Sequence, residues 1–171
     1  MNNNQYHIVF TLCYLQLDLL SNNDIIKFND WLMSLGFYDD LMLNIVFDEL
    51  NYHESKETLL LICQKLDFPS LQICDLSLIF TMCYIKSWLQ LPITWDKLNI
   101  PCFYDNFQED IKADIIELGY LMELYDTIEV DDNHKKEIIA KFFEICQDWL
   151  HKYQNTLSQI LMPFSQISKT S

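Results

Sequence analysis

The chain has 171 residues, half of them hydrophobic, and sets 11 cations against 25 carboxylates for a formal charge of −14. Every cation is a lysine, so no guanidinium fork exists for a bidentate grip on phosphate or carboxylate. The sign of the charge opposes a nucleic-acid backbone, and the apolar fraction excludes disorder, which needs low hydrophobicity as well as high charge.

A period near 3.6 residues runs through the chain, with turn residues at helical intervals. Tyr6, Phe10, Cys13, Leu17 and Leu20 define a first apolar face. The apolar stretch Ile8 to Leu17 follows asparagines, with no cation before it and no small-residue cleavage site after it. It is read as a core helix rather than a leader. Asn22 or Asn23 is expected to cap a second helix carrying Ile25, Phe28, Trp31, Leu32 and Leu35, with Gly36 in the left-handed position that ends it. Asp39 opens a third, with Leu41, Met42, Ile45 and Val46 inward. Ser55 precedes a fourth, from Lys56 to Leu66, carrying Leu59, Leu60, Ile62 and Cys63.

Pro69 and Ser70 introduce the most hydrophobic segment, about 71 to 90, which is apolar on nearly all sides through Leu76, Ile79, Phe80, Cys83 and Trp88. Its charge-free centre, Leu76 to Ile85, falls well short of the roughly 18–20 residues a bilayer requires. Such a helix belongs at the centre of a bundle, and no contact with a membrane is expected. Pro92 closes it, and a short helical turn is expected at Trp95 to Asn99, before Pro101. A long helix follows from Asp105 to Ile128, with Phe107, Ile111, Ile115, Leu118, Met122 and Tyr125 in step. The last, Asn133 to Met162, repeats that spacing through Ile139, Phe142, Cys146, Trp149, Tyr153, Leu157 and Ile160. Pro163 ends it, leaving 164–171 as a frayed tail. The expected architecture is one all-α domain over 1–163, a bundle of six to eight helices around the hydrophobic central helix.

Chemistry is sparse. Gly36 and Gly119 stand alone, which excludes a phosphate-binding loop and a dinucleotide fingerprint. His7, His53, His134 and His151 are too far apart to form a local metal motif. His53-Glu54 begins like HExxH, but position 57 is Glu, so His53 and Glu57 are read as an exposed pair. Cys13, Cys63, Cys74, Cys83, Cys102 and Cys146 include no CxxC pair, and most lie among large apolar residues, as free thiols of a cytoplasmic protein do. No catalytic residue, cofactor or metal is assigned, and the chain is expected to be non-catalytic.

The charge is concentrated. Between Asp105 and Asp132 stand ten acids and a single lysine, Lys112, which is −9 of the chain's −14. Asp110, Asp114 and Glu117 follow i, i+4, i+7, with Glu109 beside them, at a cost of roughly 0.2–0.5 kcal/mol per like-charged pair. Glu129 to Asp132 carry the potential to the start of the last helix, where acids also suit its dipole. One reading is a solvated face that keeps an apolar chain dispersed. The sharper reading is a docking surface for a basic protein, a toxin or nuclease domain whose phosphate groove the acids would fill. Its contact residues would be Asp105, Glu109, Asp110, Asp114, Glu117, Asp131 and Asp132, with Phe103, Tyr104, Tyr120 and Tyr125 as neighbouring anchors or core. An immunity- or antitoxin-type inhibitor is the function expected on these grounds. The alternatives are a viral or host-directed bundle that takes an amphipathic partner helix into a hydrophobic groove, and an acidic secretion chaperone.

Overall fold

The computed structural model describes residues 1–47, 50–90, 109–127 and 132–167. Within them the chain is all-α, with no strand. The helices are α1 (Asn3–Gln16), α2 (Asn22–Ser34), α3 (Leu41–Phe47), α4 (Tyr52–Lys65), α5 (Ile73–Gln90), α6 (Glu109–Thr127) and α7 (Asp132–Leu161), followed by a 3-10 turn, Pro163–Gln166. The turn expected at Trp95 to Asn99 lies outside the described residues, as do Phe107, Cys102 and the expected limits of α6 at Asp105 and Ile128. The chain groups into two compact units, Met1–Gln72 with Gln159–Ser171, and Ile73–Ser158.

In the first unit, helix starts are written in reciprocal side-chain caps. Asn2 with Gln5, Ser21 with Asp24 and Asn51 with Glu54 each form a capping box, satisfying two backbone N–H groups apiece. This corrects two expected starts. Ser21, not Asn22 or Asn23, caps α2, because only Ser21 has an acid three residues on to answer its own N–H. Asn51 likewise starts α4 four residues early, which places Ser55 inside the helix, fully buried.

Helix ends follow one rule as well. Leu17-Asp18-Leu19, Leu35-Gly36-Phe37 and Leu66-Asp67-Phe68 all close as Schellman motifs. The middle residue is left-handed (φ 56°, 86° and 53°), and the third donates its N–H to Tyr14, Leu32 and Cys63 respectively. Two of these turns bring Phe37 and Phe68 edge to face at 5.2 Å. Gly36 is unstrained there, whereas Asp18 and Asp67 are not. Asp18 gains in return, since its carboxylate accepts from Lys56 Nζ and from Tyr52 Oη at 2.9 Å, and these bonds lower its pKa. Asp67→Gly is therefore expected to stabilise the protein by about 0.5 kcal/mol, relief of the left-handed strain outweighing the freer unfolded chain. Asp18→Gly is not expected to do so. Urea midpoints of the two variants check this, and a lower midpoint for Asp67→Gly would overturn it.

The buried side of α1 is Ile8, Val9, Leu12, Cys13 and Leu15. Of the expected stripe only Cys13 is fully buried, while Tyr6, Phe10, Leu17 and Leu20 form its half-buried margin. α1 is apolar around most of its circumference, so periodicity alone does not choose between adjacent arcs. α2, α3 and α4 pack together, and in α3 Met42 and Ile45 point inward while Val46 is 40% exposed, contrary to expectation. His7 packs edge-on against Trp31 at 4.4 Å and Phe28 at 5.7 Å, and the lost hydration lowers its pKa. The C-terminal segment is not frayed through residue 167. Phe164 is buried, and the Gln5 side-chain amide donates to the carbonyls of Ser165 (2.8 Å) and Ile167 (3.2 Å).

In the second unit, α5 is buried at every position from Leu76 to Met82, nearly two full turns, and again at Ile85 and Trp88. That is burial on all sides, as expected of the central helix. α6 buries Ile111, Ile115 and Leu118, and α7 buries Phe142, Cys146, Trp149 and Leu157, on the faces their spacing predicts. Phe142 meets Trp88 at 5.4 Å. α6 and α7 run antiparallel, since Tyr125 lies 5.1 Å beneath Lys135 Nζ whereas Asp114 pairs further along α7 with Lys152. No helix among the described residues is long and apolar enough to cross a membrane.

Candidate functional site

Of the seven acids expected to meet a partner, Asp114, Glu117 and Asp132 have described side chains; Asp105 and Asp131 lie outside the described residues, as do the side chains of Glu109 and Asp110. Asp114 is not free. Its Oδ2 accepts from Lys152 Nζ at 2.9 Å, and that ammonium also stands 4.9 Å from the centre of the Tyr153 ring. The hydrogen bond to Asp114, helped by Tyr153 and opposed by burial, raises the lysine pKa. Asp114 and Lys152 meet in a depression of about 260 Å³ that Glu117, Ile145, Asp148 and Trp149 also line.

Asp132 belongs elsewhere. It opens α7, twenty residues before Lys152 on one continuous helix, and therefore roughly 30 Å away at 1.5 Å per residue. Asp132 therefore stands apart from the Asp114–Lys152 pair. Asp132 shares a sequence run with Asp114 and Glu117, but helix length keeps it apart.

What the acid count missed is apolar. Ile116 and Tyr120 are 61% and 60% exposed, and they stand at i, i+4 on the side of α6 opposite Ile111, Ile115 and Leu118. Ala113 precedes them in the same row, half-buried Leu124 follows, and the exposed Glu117 and Glu123 flank them on either side. Tyr120 is therefore on the surface, whereas Tyr125 is half-buried beneath Lys135. The signal was available in the phase of the helix: once 111, 115, 118 and 122 fill one face, apolar residues at 113, 116, 120 and 124 must occupy the other.

Reactive chemistry stays weak among the described residues. The five described cysteines form no disulfide, and burial pushes the thiols of Cys13, Cys63 and Cys146 up to about 12. A thiol so protonated is a poor nucleophile and a poor metal ligand. His53 Nε2 and Glu57 form the exposed i, i+4 pair at 3.3 Å, and no three His, Cys, Asp or Glu among the described residues gather around one metal position. No family model, curated protein or solved structure matches the chain.

Proposed function

We propose that this chain is a non-catalytic inhibitor that binds a basic protein, and that a cationic nuclease-like toxin of the kind countered by immunity proteins and antitoxins is its target. The reading rests on one observation: α6 carries six of the chain's acids and one lysine, and it presents Glu117 and Glu123 to solvent beside exposed apolar side chains. A surface of that sign steers a cationic partner and accelerates its encounter by about 10–1,000-fold at low salt. Cytoplasmic action suits the same reading, since the thiols stay reduced there. Lys152 neutralises Asp114 in the uncomplexed chain, so Asp114 adds to the attraction only when the lysine moves aside.

The test is to isolate the partner from the native cells and follow the complex as salt rises. Association should slow about tenfold or more between low and physiological ionic strength. Glu117→Lys with Glu123→Lys should slow it similarly, and the isolated partner should be basic, its activity restored when the complex is broken. A complex indifferent to salt and to both charge reversals would overturn the proposal.

A further inference from the structure

We infer that the outer face of α6 docks an amphipathic helix of the partner, with Ile116 and Tyr120 as anchors and the partner's lysines or arginines beside Glu117 and Glu123. This rests on the reading of α6 as a surface for a basic protein, and it adds what the partner must present there. The apolar row Ala113, Ile116, Tyr120, Leu124 spans twelve residues, roughly 16 Å along the axis, which a partner helix of about three turns would cover. Two large side chains about 60% exposed, four residues apart on one helix, are what an aliphatic–aromatic anchor pair requires.

The charge selects the occupant. Between Glu109 and Thr127 stand six acids and Lys112, so two copies of α6 laid face to face would bring like charges together. A helix with cations flanking an apolar stripe meets Ile116 and Tyr120 with its stripe and the two glutamates with its flanks. The two components also divide the kinetics. Glutamates at the rim set the rate of encounter and its salt dependence, whereas buried anchors set how long the complex lasts.

The experiment titrates the full chain with a synthetic eighteen-residue helical peptide of leucine, alanine and arginine, the leucines on one side and the arginines flanking them. A peptide of the same composition in scrambled order serves as the control. The amphipathic peptide should bind about tenfold or more tightly than the scrambled one, shifting the Ile116 methyl and Tyr120 ring signals in NMR spectra. Ile116→Ser with Tyr120→Ser should weaken it at least about tenfold at high salt as well as low, through faster dissociation. Glu117→Gln with Glu123→Gln should weaken it at low salt alone, through slower association. Ile116 and Tyr120 lie on the surface, so that variant should keep the parent's thermal midpoint. Equal binding of the two peptides, or an Ile116→Ser and Tyr120→Ser variant within twofold of the parent, would overturn the inference while leaving the basic-partner reading intact. Loss of all effect from the glutamate variants would overturn both. Self-association in sedimentation that Ile116→Ser abolishes would assign the face to a second copy, and would overturn the inference too.

Discussion

Asn29→Asp is expected to be among the most damaging single-atom changes available to this protein at neutral pH and nearly harmless in acid. Asn29 is completely buried on α2, where its Nδ2 donates to the carbonyl of Met42 at 3.0 Å and its Oδ1 has no partner. A protonated aspartic acid preserves that donor. An ionised one sets a carboxylate against a carbonyl oxygen in a dry site, a burial that costs several kcal/mol. The folded-state pKa of the new acid is therefore raised above its unfolded value near 3.9, and the folded state holds the proton more tightly. Stability, full below that unfolded value, then falls by about 1.4 kcal/mol for each pH unit above it, until the folded pKa is reached. Urea unfolding of Asn29→Asp against the parent at pH 4 and pH 7 measures the difference directly. A penalty independent of pH would mean that the site hydrates on ionisation.

Trp149→Ala is expected to cost about 3–5 kcal/mol, because the indole is 2% exposed and a void of that size cannot close. Trp149→Phe should cost far less, roughly 1–2 kcal/mol. The indole N–H is buried with no acceptor, so removing it forfeits no hydrogen bond and offsets part of the lost volume. Equal losses for Ala and Phe would show that the N–H holds a partner. The alanine variant should also loosen the Asp114–Lys152 pair, since Trp149 walls the depression in which they meet. That is observable as a lower titration midpoint for the lysine, whose pKa the pair holds up.

Much of the fold was legible because helices advertise themselves locally. The stripes of α6 and α7 repeated every three or four residues, and Ile111, Ile115, Leu118, Phe142, Cys146 and Trp149 are all buried. Gly36 was recognisable as a left-handed end because glycine adopts that conformation without strain. Asp18 and Asp67 do the same job and went unrecognised. Their signature is the shared Leu-Asp-Leu and Leu-Asp-Phe pattern rather than the residue at φ > 0. Ser21 and Asn51, rather than Asn22 or Ser55, start their helices because several polar residues stand near each start and the acid three positions on decides between them. Nothing local marks Phe164 as core; Gln5, 160 residues from Ser165, holds the segment through that residue's carbonyl.

The acidic face shows the same division. The amino-acid sequence alone determined that −9 of the charge lies between Asp105 and Asp132, that guanidinium and phosphate-loop chemistry are absent, and that the chain is helical. Those are properties of composition and of neighbours within one turn. Tertiary structure decided which charges remain available. Antiparallel packing brings Lys152 of α7 onto Asp114, and helix length carries Asp132 roughly 30 Å away. Burial of one side of α6 leaves Ile116 and Tyr120 facing solvent. A charge count adds residues along the chain, whereas a surface is set by which helix lies alongside which, and that depends on contacts far apart in sequence.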